Sequence, residues 1–217
     1  MEIKIGIKKL FSSQYAIGIK AVKGSRYTIA WDDGNHDTFT GTGKPQRHLH
    51  DYTGYPVRQN YNITIESSAD DITGIFMRYA ALIYDIPPVR LAAIDVSQCT
   101  SLEQLALPQF SGIEELNLKG NPRLRNLSLE CHSMQELDLW GNPQVEYLYL
   151  ALCRNLRVLD LRNCPSLKVL DIVGTYSLEN LHLSEGIVLD KVKVSKRCLN
   201  QNQQLRTAIT SRRTERF

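Results

Sequence analysis

The chain has 217 residues, 42% hydrophobic and 23% charged, enough to bury a substantial core as one solenoid or two small domains. No apolar run approaches the roughly 20 residues of a bilayer-spanning helix, so no membrane span is expected. The net charge of +3 is uneven: residues 1–60 carry nine Lys/Arg against five Asp/Glu, residues 61–190 nine against seventeen, and residues 191–217 eight against one. An acidic middle therefore lies between basic ends.

The opening MEIKIGIKKLF alternates apolar and basic residues, whereas a secretory signal needs a continuous apolar core. The location is left open on this reading: a cytoplasmic or assembly-associated protein, export without such a signal, or a mature chain. Residues 1–66 then read as β-strands with no helical period. IKIGIKKLF, YAIGIKAV, RYTIAW and YNITIES alternate or are rich in β-branched and aromatic residues. Between RYTIAW and DTFTG, the run Asp32-Asp33-Gly34-Asn35 is a hairpin signal, because glycine accepts positive φ. Asp32, Asp33 and Asp37 lack the Asp-x-Asp-x-Asp-Gly spacing of a calcium loop, so turn chemistry is the simpler account. His48 and His50 fall on one strand face with no evident third ligand, and are expected to pack rather than bind metal.

The order WDDG, TFTGTG, HLHDY and YNITI resembles the PKD-type immunoglobulin-like β-sandwich. Asp33 and Gly34 match its W-G-D-G hairpin, and Asp32 replaces the glycine of that motif. The resemblance implies a small β-sandwich-like domain over residues 1–66.

From Leu91 the chain divides into nine consecutive units of eleven residues, of which only the fourth, LRNLSLECHS, is one residue short. The template is L-x-x-L-x-L-x-x-N/C-x-x, and LDKVKV at 189–194 begins a tenth unit. Positions four and six lie two apart, so on an extended segment both point inward, while positions three, five and seven face solvent. Each unit is a short strand plus a turn that cannot fold alone. Stacking the units buries a leucine column, at about 1.5–3 kcal/mol for each buried side chain. Ile72, Ile75 and Met77 fit positions one, four and six of a first coil, before the Pro87–Pro88 segment that leads to Leu91.

Position nine carries Cys99, Asn121, Asn142, Cys153 and Cys164 at the corner. Asparagine there is expected to satisfy neighbouring turns through its donors and acceptors, with cysteine as a smaller substitute. The chain has five cysteines, an odd number without CxxC spacing, which argues against a disulfide framework. Units ending in N/C-P or C-T corners alternate with units that do not, so the true repeat is about 22 residues, two strands per coil.

This pattern resembles leucine-rich repeat proteins, especially the bacterial type with LxxLxL in both halves of each coil. The expected fold is mainly β: a small β domain (1–66), a leucine-rich repeat solenoid (67–194), and a C-terminal cap and basic tail (195–217). In the last segment Leu199, Leu205 and Ile209 suit a short amphipathic helix, as a solenoid end needs a cap. Arg212, Arg213 and Arg216 in the tail offer an alternative docking role toward an acidic partner.

No GxSxG elbow, P-loop, HExxH motif or dinucleotide fingerprint occurs, so no catalysis and no cofactor are expected. The resemblance implies a cell-surface or secreted module that binds through outward strand positions. On the N/C-P strand set, position five reads Asp95, Asn117, Asp138, Asp160 and His182, and position seven includes Lys119, Trp140 and Arg162. Self-satisfied side-chain ladders are one account of this column, and recognition of a protein or peptide, with a glycan as the alternative, is the other. Nucleic acid is not the expected partner. Tyr147 and Tyr149 fall on the other strand set and form a separate, secondary surface. A structural subunit of a bacterial or phage assembly, such as a secretion or tail apparatus, is the competing function.

Overall fold

A computed structural model describes residues 1–8, 14–54, 60–77, 90–113 and 116–209. The Pro87–Pro88 segment and the tail arginines Arg212, Arg213 and Arg216 lie outside the described residues. The protein is mainly β, with a β-solenoid of about four turns and a short helical end.

The N-terminal strands are β1 (Glu2–Lys8), β2 (Gln14–Ala21), β3 (Arg26–Ala30), β4 (His36–Thr40), β5 (Pro45–Asp51) and β6 (Asn60–Ser67). Their alternation buries one face, as in β2, where Tyr15, Ile17, Ile19 and Ala21 point inward. The β3–β4 hairpin turns at 32–35, where Asp32 has φ 64° and Gly34 φ 94°, as the turn signal anticipates.

The repeat strands follow: β7 (Ile72–Phe76), β8 (Arg90–Asp95), β9 (Gln104–Ser111), β10 (Asn126–Cys131), β11 (Glu136–Asp138), β12 (Tyr147–Tyr149), β13 (Val158–Leu161), β14 (Val169–Asp171), β15 (Asn180–Leu183) and β16 (Lys191–Lys193). They stack in alternation as two parallel columns. One column is β7-β9-β10-β12-β14-β16, in which Ile75, Leu105, Leu127, Leu148, Leu170 and Val192 are direct partners. The other contains β8 and then β11-β13-β15. Between β8 and β11, residues 116–118 complete no strand ladder, although Leu116 and Leu118 are buried. The residue missing from the fourth unit falls after β10, at the corner following Cys131.

Both columns run directly into the N-terminal strands. Strand β2 pairs antiparallel with β7 and with β5, giving an eight-stranded sheet of order β16-β14-β12-β10-β9-β7-β2-β5. Strand β1 pairs antiparallel with β8, giving a five-stranded sheet of order β4-β3-β6-β1-β8. Residues on both sides of position 67 therefore share both sheets and one continuous apolar core.

At the corners, Asn121 Nδ2 donates to Val96 O (2.9 Å) and Cys99 O (2.8 Å), and Asn142 Nδ2 donates to Leu118 O and Asn121 O (both 2.9 Å). The same place is taken by Cys164, whose thiol lies 4.0 Å from Leu139 O and 3.9 Å from Asn142 O; in the last coil Ser184, at position seven, donates its hydroxyl to Leu161 O and Arg162 O. Only the donor half of each asparagine is used: Oδ1 of Asn121 and of Asn142 is buried with no hydrogen-bond partner. This corrects the expectation that the amide serves both donors and acceptors of its neighbours. Beside this ladder the coils approach so closely that a Cβ on Gly120 would sit 2.0 Å from Ser97 O, which explains the glycine.

The end is closed by α1 (Lys196–Gln201) and α2 (Gln203–Ala208), two short helices where the apolar spacing suggests one. Asn202 separates them. Its Oδ1 accepts from Leu205 N and its Nδ2 donates to Leu181 O, so one residue caps a helix and ties it to β15.

Candidate functional site

The position-five column lies on the outer surface of β8, β11, β13, β15 and the intervening 116–118 segment. Asp138, Asp160 and His182 are adjacent partners in register. Four of its five side chains are committed locally in one repeated turn. Asp95, Asn117, Asp138 and Asp160 each accept, through Oδ1, the backbone N–H two residues ahead, at Ser97, Lys119, Trp140 and Arg162. Aspartate and asparagine thus close the strand ends. The hydrogen bonds from Ser97 hold the Asp95 carboxyl below its usual range, and those from Arg162 do the same for Asp160.

The cations relieve the remaining negative charge. Lys119 Nζ reaches Asp138 Oδ2 of the next coil at 3.4 Å, whereas Arg162 forks onto Asp160 two residues back, just past the end of β13. Trp140 is left 64% exposed at the corner, its carbonyl accepting from Asn163 Nδ2.

The opposite face has a different character. Side chains at positions three and five of β9, β10, β12 and β14 line the outer surface of the eight-stranded sheet. One row across it reads Phe76, Ala106, Ser128, Tyr149, Asp171 and Lys193, each the register partner of the next. The row beside it reads Gly74, Gln104, Asn126 and Tyr147. Small residues in the middle and aromatic ones at the sides leave a groove of about 760 Å³. Ala106 and Ser128 form its floor, Phe76 and Pro45 one wall, and Tyr147 and Tyr149 the other, with Glu130 and Asp171 also among the lining residues. Three strand spacings of about 4.8 Å set the walls roughly 14 Å apart. Tyr149 is 38% exposed, and Asn126 Oδ1 has no hydrogen-bond partner.

A row of alternating charge borders the groove at position two: Glu103, Arg125, Glu146, Lys168 and Asp190. Glu146 bridges Arg125 (2.9 Å) and Lys168 (2.6 Å), and Lys20 reaches Glu103 at 3.8 Å. Lys168 and Arg125 lower the Glu146 carboxyl, and Glu146 raises the Lys168 ammonium.

The structure therefore separates Trp140 from Tyr147 and Tyr149, which lie on different sheets, and pairs the two tyrosines with Phe76, Gln104, Ser128 and Glu130. Those four were accessible as positions three, five and seven of the units without N/C-P corners.

In the N-terminal strands, each candidate metal ligand has an internal partner. Asp33 Oδ2 is 2.6 Å from His50 Nε2, Asp37 accepts from Trp31 Nε1 at 2.9 Å, Asp32 accepts from Asn62 N, and His48 Nε2 is 2.8 Å from the Tyr27 hydroxyl. The His50 ring also stacks on Trp31 at 4.7 Å. Among the described residues no group of three or more His, Cys, Asp or Glu is placed to hold a metal ion. All five thiols are buried and free. Burial pushes Cys99 and Cys164 up to about 12 and Cys153 to about 11.

No helix among the described residues is long and apolar enough to cross a membrane. Comparison with protein-family models, curated proteins and solved structures finds no match to this chain.

Proposed function

We propose that this chain is a non-catalytic interaction module that recognises its partner on the outer face of the eight-stranded sheet, in the groove between Phe76 and the Tyr147–Tyr149 pair. In this reading the solenoid is of the leucine-rich repeat type, supported by the L-x-x-L-x-L spacing and the asparagine corners. The N-terminal strands are PKD-like, supported by the Trp31–Gly34 hairpin. The observation that carries the functional reading is the contrast between the two faces. On the β11-β13-β15 face the polar column is spent on its own backbone and counter-charges. The groove instead presents aromatic walls, a floor of small residues and a polar lining that includes Gln104, Ser128 and Asp171. Concave sites with aromatic walls and a few placed polar groups are where ligands bind.

The test compares two double variants, Tyr147→Ala/Tyr149→Ala and Asp138→Ala/Trp140→Ala, as immobilised bait against extract of the native host. A partner retained by the second and lost with the first supports the groove. The opposite result moves the site to the Trp140 face. A partner retained by both rejects each surface and leaves the sheet edges, the prediction of a structural subunit.

A further inference from the structure

We infer that the groove takes an uncharged oligosaccharide, an assignment that rests on the groove being the partner site. The aromatic rings stand on β7 and β12, with β9 and β10 between them, and aromatic faces suit the C–H faces of sugar rings while their edges keep a polar contact with water. The floor of Ala106 and Ser128 is shallow and wide, giving room for a short run of rings rather than a single buried one.

The polar lining is rich in acceptors. Glu130 and Asp171 bring carboxylates, Gln104 and Asn126 amides, and Ser128 a hydroxyl that both donates and accepts. Sugar hydroxyls supply many donors without charge.

Charge argues against an anionic ligand. No lysine or arginine is among the described residues lining the groove, so an anionic ligand would meet two carboxylates without a counter-ion. The cations at its border, Lys20, Arg125 and Lys168, are paired with Glu103 and Glu146, and with Asp190 in the same row the border adds no net charge of either sign. Nor can an extended peptide add to the backbone here. Strands β7, β9, β10, β12 and β14 are each paired on both edges, and strand addition needs a free one.

The experiment titrates the full chain, by calorimetry and ligand-observed NMR, with cello-, xylo-, manno-, malto- and chitohexaose, and with hexalysine and hexaglutamate. Wild type is compared with Tyr149→Ala, Ser128→Gln, which fills the floor from another strand, and Tyr176→Ala, an exposed aromatic outside the groove. Circular dichroism melts confirm that each is folded. The expected result is binding of at least one hexasaccharide, weakened tenfold or more by both groove variants and changed less than twofold by Tyr176→Ala. If no hexasaccharide binds, or if neither folded groove variant weakens it, the assignment is overturned. If instead a charged peptide binds and is lost in the groove variants, the groove stands as the partner site and the sugar class is wrong.

Discussion

Asn142→Asp tests the corner ladder with almost no change of shape. In the native chain the Asn142 amide points both N–H groups at carbonyls of the preceding coil, Leu118 O and Asn121 O, each 2.9 Å away. Each carbonyl also keeps one backbone donor, from Asn121 N at 3.0 Å and Leu124 N at 3.1 Å. Truncation to alanine therefore removes two hydrogen bonds without stripping either carbonyl bare, at about 1 kcal/mol apiece. A small cavity adds to that, so Asn142→Ala should cost roughly 2–3 kcal/mol. The aspartate keeps the volume but turns an acceptor toward both carbonyls, in a place where Oδ1 already has no partner. A buried unpaired charge or mis-set acceptor costs more than a missing donor, about 3–5 kcal/mol. Urea unfolding at pH 7, followed by circular dichroism, reads both variants against wild type. The ladder argument predicts a lower midpoint for the aspartate than for the alanine. If Asn142→Asp proves equal to or more stable than Asn142→Ala, the two donors are not what holds the corner.

Leu148→Ala, at a fully buried strand position, should cost about 2–5 kcal/mol, whereas Trp140→Ala, 64% exposed, should stay within about 0.5 kcal/mol; thermal melts of the two variants separate packing from surface. Burial, opposed in part by Asp37, lowers His48 from its ordinary 6.5, so its contribution to stability is full above about 6.5 and is lost as pH falls from there through the lowered folded value. Urea midpoints from pH 8 to 5 should show that decline, and His48→Phe should flatten it. The five buried thiols should resist a thiol-reactive dye at pH 8 in the native protein and all react after unfolding in urea; a native thiol reacting within seconds would contradict its burial.

The repeat was legible because its signal is local and redundant. Leu127, Leu148 and Leu170 are inward for the same reason, two-residue alternation on a strand, and the structure makes them direct partners across coils. The position-nine column was legible as a corner, but not the use of only its donors, since that depends on which carbonyl the preceding coil presents. The groove was half legible. Tyr147 and Tyr149 could be assigned to the second strand set, yet a groove needs absence as well as presence: Ala106 and Ser128 matter because they are small between large neighbours. The same holds for the acidic column. Asp138 and Asp160 read as exposed carboxylates in one dimension, and only the turn geometry shows each bound to the N–H two residues ahead.

A solenoid has two open ends, and how they are closed decides where the groove can form. At the helical end, Asn202 and Gln204 cover β15 by bonding Leu181 O and Leu183 N, and Leu189 pairs with the chain at Ile209. At the other end, β1 and β2 pair antiparallel with β8 and β7, so the exposed edges move outward to β4 and β5. Those edges carry what discourages further pairing: charge and polarity in His36–Thr40, and a proline at the start of Pro45–Asp51. This arrangement also builds the site. One groove wall comes from Pro45 and Phe76, held by β5 and β7 on the two sides of β2, and the other from Tyr147 and Tyr149 of the repeats. Antiparallel pairing of β2 with β7 thus does two things at once: it closes the parallel stack and supplies the wall that turns a flat strand face into a groove.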